Sequence, residues 1–172
     1  MPIYVGTNKI KSIYVGTTKI KAVYVGTTKV YSTELTYYGT ATALSVARRY
    51  LAATSVGDYA LFGGGYTGSY SAVVNAYNTS LTRSTPTALS EARYDLAATS
   101  VGDYALFGGG NPSSGYSDVV NAYNTSLTRT TPTALSSARG YLAATSVGNY
   151  ALFGGGYAGS GSYSSVVDAY TV

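Results

Sequence analysis

The sequence predicts an all-β chain: repeated four-stranded antiparallel units behind a short N-terminal segment of different make-up. Three observations carry that prediction. In composition, 172 residues hold 20 Tyr and 21 Gly but only 10% charged residues. Tyr, Thr, Val and Ser stand where a helical protein would show Glu, Lys and Leu. The second observation is an internal repeat. "LAATSVGDYALFGGG" at 51–65 returns unchanged at 96–110, and at 142–156 with Asn149 in place of Asp. The third is phrasing: runs of strand length are bounded by turn residues, and no window carries an apolar stripe at helical spacing.

The N-terminal segment speaks a ten-residue phrase three times: "IYVGTNKIKS", "IYVGTTKIKA", "VYVGTTKVYS". A run such as "KIKAVYV" followed by "GTT" reads as a seven-residue strand and a three-residue turn, hence a β-meander over 1–30. One face carries Lys19, Lys21, Val23 and Val25; the other carries Ile20, Ala22 and Tyr24. All five Lys (Lys9, Lys11, Lys19, Lys21, Lys29) fall here without an acid, so the net charge of +4 belongs to a segment. The remaining six Arg and seven acids nearly balance, and the shift near Val30 marks a boundary between 1–30 and 31–172.

The long repeat has a period of 45 to 47 residues, marked by Arg48, Arg93 and Arg139, by Phe62, Phe107 and Phe153, and by Tyr77, Tyr123 and Tyr170. In the first unit the four strand-length runs are "LAATSVG", "DYALFGGG", "AVVNAYN" and "LTRSTPTAL". Gly57-Asp58 and Gly102-Asp103 suit a tight hairpin, as does Asn149 in the third unit. The glycine run, including Gly63, Gly64, Gly108, Gly109, Gly154 and Gly155, ends the second strand where the backbone must bend or be approached closely. Asn78-Thr79-Ser80 and Asn124-Thr125-Ser126 form the third connection. Pro86 and Pro132 sit in the fourth run, which must therefore be an edge strand.

A first strand of small residues (Ala52, Ala53, Thr54, Ser55), an apolar second strand and a proline-bearing outer edge describe a β-propeller blade. The order Arg, small-residue strand, "YALFGGG", spaced Tyr and outer strand resembles the kelch repeat from about Leu35 to Val172. The kelch outer-strand Trp is missing; Leu81 and Leu127 stand near its place. The ten-residue units resemble modules of phage and prophage structural proteins of Gram-positive bacteria. On this reading the chain carries three kelch-like four-stranded blades.

The repeat phase raises the question of closure. The text stops at "VVDAYTV", after a third strand, while Thr33–Ser45 aligns with outer-strand text and could supply the strand that closes a last blade. Propellers typically have about 4–8 blades. Two chains placed head to tail give a six-bladed homodimer; an open three-blade fragment and a trimer driven by the meander are the alternatives.

Without His or Cys, Ser–His and Cys–His nucleophile arrangements cannot be built, and zinc lacks its usual ligands. No catalytic residue, metal or cofactor is expected. "GGGYTG" and "GGGYAG" fit G-x-G-x-x-G, yet a strand comes next where the phosphate-binding fingerprint requires a helix. The lysines could serve nucleic acid, but on an exposed meander they more readily protect an edge. No run has the length of a membrane span or the pattern of a signal peptide, so synthesis in the cytoplasm and a place in a virion are the expectation.

The units differ where binding residues would sit. Between the repeated Arg and the inner strand stand Arg49-Tyr50, Tyr94-Asp95 and Gly140-Tyr141; after the glycines come loops bearing Tyr66, Tyr116 and Tyr157. Tyr, Arg and Asp recognise sugars and protein surfaces by stacking and hydrogen bonding. Arg48, Arg93 and Arg139, common to all units, read as structural. The expectation is a non-enzymatic module of a phage or prophage particle that touches a cell-surface glycan or protein. The runner-up is a bacterial kelch scaffold for protein–protein contacts.

Overall fold

The computed structural model describes residues 35–172 in full and, between residues 4 and 32, the backbone of six short strands. The chain divides into two units, Met1–Thr40 and Ala41–Val172.

In the first unit, β1 (Tyr4–Val5) pairs with β2 (Asn8–Lys9), β3 (Tyr14–Val15) with β4 (Thr18–Lys19), and β5 (Ala22–Val25) with β6 (Thr28–Ser32). Each pairing lies within one stretch of the repeat: Val5 faces Asn8, Val15 faces Thr18 and Val25 faces Thr28. Of the expected seven-residue strand over 19–25, Lys19 falls in β4 and Ala22–Val25 form β5, while residues 20 and 21 lie outside the described residues, so the meander is an expectation that the described strands leave open. The expected lysine face concerns side chains outside the described residues.

The second unit holds three antiparallel sheets. Sheet 1 comprises β7 (Ala52–Val56), β8 (Tyr59–Gly63), β9 (Val74–Tyr77) and β10 (Arg83–Ser84), hydrogen-bonded in chain order. Sheet 2 repeats it with β11 (Ala97–Val101), β12 (Tyr104–Gly108), β13 (Val120–Asn124) and β14 (Arg129–Thr130). Sheet 3 has β15 (Ala143–Val147), β16 (Tyr150–Gly154) and β17 (Val167–Thr171), and no fourth strand among the described residues. None of the sheets is closed. Inner strand β11 neighbours both β7 and β15, so the sheets fan out from a shared line of small-residue strands in a blade-like arrangement.

The fourth run is shorter than its text suggests. β10 and β14 are two residues each, and Pro86 and Pro132 come after them rather than standing inside. A residue without an N–H cannot extend the ladder, so the chain leaves the sheet there and crosses to the next one. Thr87 carbonyl accepts from Tyr123 hydroxyl (2.8 Å) and Ala88 carbonyl from Arg129 (2.8 Å), both in sheet 2. Residues 42 and 43 do the same on sheet 1, accepting from Tyr77 (2.8 Å) and Arg83 (2.6 Å). Residues 35–44 lie in no strand.

The repeated arginine holds each crossing segment down. Arg93, with no exposure, donates to Phe107 carbonyl (3.2 Å), to Asn121 Oδ1 (3.1 Å) and to Glu91 (2.9 Å). Arg139 donates to Phe153 carbonyl (3.2 Å) and to Asp168 (2.6 Å). Arg48 donates to Phe62 carbonyl and Asn75 Oδ1, both at 3.1 Å. Each guanidinium therefore ties the crossing segment to the second and third strands of one sheet. Burial lowers the Arg93 pKa, partly offset by Glu91.

Between sheets the packing is ring on glycine. A Cβ at Gly63 would lie 2.7 Å from the Phe107 ring, and one at Gly108 would lie 2.8 Å from the Phe153 ring. Only glycine admits that approach, which lets two blade faces interlock. Phe107 and Phe153 are fully buried as a result.

Candidate functional site

At the end of the sheets where the inner strands begin and the second strands finish, two sets of loops meet. The crossing segments arrive through Tyr50, Asp95 and Tyr141, all with positive φ (58°, 52° and 56°). That conformation costs a non-glycine residue on the order of 1 kcal/mol. It is held by a relay of backbone bonds. Asp95 N–H donates to Tyr50 carbonyl and Tyr141 N–H to Asp95 carbonyl, each at 3.0 Å, one sheet to the next.

The post-glycine loops fold back onto these segments. Tyr66 exchanges two backbone bonds with Arg49 (2.8 and 3.0 Å), Asn111 with Tyr94 (2.7 and 3.3 Å), and Tyr157 with Gly140 (2.8 and 3.0 Å). Asn111 is turned so that its amide oxygen accepts from Tyr94 hydroxyl (3.1 Å) while its nitrogen donates to Pro112 and Gly115 carbonyls.

The side chains form two aromatic groups. Tyr94 lies 5.9 Å from Tyr50, 5.5 Å from Tyr66 and 5.5 Å from Tyr70, centroid to centroid. Arg49 caps this group, its guanidinium carbon 4.9 Å from the Tyr50 ring centroid and 5.6 Å from that of Tyr66. In the second group Tyr157 lies 5.5 Å from both Tyr116 and Tyr163. Such tilted and edge-to-face pairs add about 0.5–1.5 kcal/mol each beyond burial. Tyr116 lies over Gly140, where a Cβ would meet its ring at 3.1 Å. The glycine at 140 thus makes room for a ring where the other crossing segments carry Arg49 and Tyr94.

Asp95 stands beside the Tyr141 phenol where sheet 2 meets sheet 3. Burial raises the Asp95 pKa, and the Tyr141 hydroxyl pulls the other way. Burial raises Tyr94 as well, with Tyr70 and Asp95 adding to it; Tyr141 is raised by burial and then by Asp95. Phenols shifted upward stay protonated donors near neutral pH. Ring faces remain open to solvent: Tyr50, Tyr70, Tyr141 and Tyr163 are all exposed.

All eight residues expected from the sequence thus fall on one end of the sheets: Arg49, Tyr50, Tyr66, Tyr94, Asp95, Tyr116, Tyr141 and Tyr157. Tyr70, Tyr163 and Asn111 join them. The signal for Tyr70 and Tyr163 was the serine one position further along the chain. Ser71, Ser117 and Ser164 each donate to the glycine that closes the run (Gly65, Gly110, Gly156) at 2.9 Å. That register makes Tyr116 the counterpart of Tyr70 and Tyr163 rather than of Tyr66 and Tyr157. Among the described residues no cluster of His, Cys, Asp or Glu could hold a metal ion. Among the described residues, too, no helix is long and apolar enough to cross a membrane.

No protein-family model matches the chain, and no curated protein matches it. Among solved structures it is similar to the structure of YjhT, with a TM-score of 0.65 and 18% identity over 76% of this chain and 44% of that one. At that identity the likeness is one of fold. The chain spans less than half the length of the structure it matches.

Proposed function

We propose that the three sheets are blades of a kelch-like propeller. We read the chain as a non-enzymatic binding module that uses its tyrosine-rich end to recognise a cell-surface glycan or protein as part of a phage or prophage particle. The observation that carries the reading is the convergence of the unit-specific loops. Residues that differ from repeat to repeat gather on one surface, while the repeated Arg, Phe and Gly residues hold the sheets together. That surface offers open phenol rings for stacking on sugar faces. Asp95 and Arg49 add an acceptor and a cation. The virion setting is supported by the ten-residue repeats alone.

The test is binding to a panel of immobilised bacterial cell-wall polysaccharides. The wild type is expected to retain at least one member. Tyr50→Ala and Tyr141→Ala should weaken that retention by roughly tenfold or more, as for aromatic anchors elsewhere, with the fold intact by circular dichroism. Equal retention by both variants would remove the site from this end.

A further inference from the structure

The two outer faces of the three-sheet unit are complementary, and we propose that a second copy of the chain closes on them head to tail, each copy's sheet 3 packing on the other's sheet 1. This rests on reading the sheets as propeller blades and not on what their loops bind.

The contacts between neighbouring sheets define what each end lacks. Phe107 fills the space over Gly63 and Phe153 the space over Gly108, but the space over Gly154 holds no ring. A Cβ there meets only Val167 Cγ2, at 3.4 Å. The matching knob, Phe62, stands on the free face of sheet 1. It lines an open apolar depression with Ala60, Leu44 and Tyr77.

The hairpin turns repeat the pattern. Thr125 approaches Gly57 and Val172 approaches Gly102, while nothing approaches Gly148; the residue in register to do so is Thr79. Burial agrees. Val56 and Val101, covered by the next sheet, are 3% and 6% exposed, whereas Val147 is 63% exposed. Val74 and Val120 are fully buried, whereas Val167 is 59% exposed.

Backbone polar groups match as well. Gly65 and Gly110 N–H donate to Arg93 and Arg139 carbonyls of the following crossing segment, both at 2.9 Å. Gly156 N–H has no such partner among the described residues, and neither has Arg48 carbonyl. The relay through Tyr50, Asp95 and Tyr141 likewise stops with Tyr50 N–H and Tyr141 carbonyl unpaired among the described residues. The sheet 1 end carries the knobs with the Arg48 carbonyl and the Tyr50 N–H, and the sheet 3 end carries the holes with the Gly156 N–H and the Tyr141 carbonyl that match them.

A face that fits the opposite face of its own kind makes a heterologous contact, which must close or run on as a filament. Two copies give six blades, inside the usual range of about 4–8, and three give nine, outside it. The fold neighbour agrees in size, since this chain covers only 44% of it. Closure also completes the tyrosine-rich end. Each copy brings Tyr50, Asp95 and Tyr141 as one half of the relay, so the second copy contributes residues to the site.

The test is sedimentation of the full chain across a dilution series, for the wild type, Gly154→Ala and Val147→Asp. The wild type should sediment as two copies. Gly154→Ala adds a methyl that the single chain tolerates but an incoming Phe62 ring would not. It should raise the dissociation constant roughly tenfold or more, with an unchanged circular dichroism spectrum. Val147→Asp, placing a carboxylate on an already exposed position, should give a monomer. A monomeric wild type, a three-copy species, or a dimer indifferent to both substitutions would overturn the proposal. Polysaccharide retention by a monomer would leave the binding reading standing.

Discussion

Asp95 and Tyr141 are tied through the backbone: the Tyr141 N–H donates to the Asp95 carbonyl at 3.0 Å, which brings the Tyr141 phenol beside the Asp95 carboxyl. The pair joins sheet 2 to sheet 3 at the end where the variable loops gather. Burial raises the Asp95 pKa, and the nearby Tyr141 hydroxyl opposes the rise by favouring the charged form. Tyr141→Phe should therefore push the Asp95 pKa higher still, read by NMR titration of its carboxyl carbon. A downward shift would mean the hydroxyl does not donate to the carboxylate.

Asp168 behaves in the opposite sense. Burial alone would raise it, but hydrogen bonds from Arg139 and Ser136 outweigh burial and hold it below the ordinary 3.8. A carboxylate depressed in the folded state contributes stability above its unfolded pKa, and that contribution is lost as pH falls through the folded value. Sheets 1 and 2 carry Asn75 and Asn121 at this position. Asp168→Asn should accordingly keep the fold and flatten the acid limb of the stability profile below about pH 4. Denaturant melts at several pH values check this; an unchanged acid limb would assign it to other carboxylates.

The arginine brackets should differ in worth. Removing Arg93 takes a charged donor from the Phe107 carbonyl and from Asn121 Oδ1, which keeps only its Ser90 donors, and opens a cavity in a fully buried place. Arg93→Ala should cost about 3 kcal/mol or more. Arg48 makes the corresponding bonds but is only half-buried, so Arg48→Ala should cost clearly less in the same urea titration. Equal costs would contradict the view that exposure at sheet 1 weakens its bracket.

Much of this architecture is legible in the text because each strand end carries a residue with a backbone reason to be there. Gly57, Gly102 and Gly148 turn the hairpins with positive φ, and the alternation in "YALFG" gives β8, β12 and β16. The path of the chain beyond Pro86 and Pro132 was not legible. Thr87, Ala88 and Ser90 look like the tail of a strand, and only the tertiary arrangement shows that they serve the next sheet. The tyrosine site was half legible for a similar reason. The post-glycine loops differ in length, so taking the first tyrosine after each glycine run groups Tyr66, Tyr116 and Tyr157, whereas the serine-to-glycine bond fixes the true register. Complementarity of the end faces is invisible in a repeat alignment, which shows Gly63, Gly108 and Gly154 as equals; only the empty space over Gly154 distinguishes them.

Those same glycines should separate on mutation. Gly63→Ala drives a methyl into the Phe107 ring inside one chain and should lower the melting temperature by several degrees, in keeping with about 1–3 kcal/mol of overpacking. Gly154→Ala, measured at a dilution where the chain is monomeric, should leave the melting temperature nearly unchanged. Similar losses at both positions would mean the space over Gly154 is filled within the chain.

The most direct test of the closed ring is amide hydrogen exchange at Tyr50 and Gly156, followed by NMR at high protein concentration. In a single copy both N–H groups lack a partner among the described residues; in the ring each donates to a carbonyl of the second copy. The account expects both amides to be protected to a degree similar to Asp95 and Gly110, their bonded counterparts, and to lose that protection on dilution. Fast exchange at Tyr50 and Gly156 beside protected Asp95 and Gly110 would contradict it.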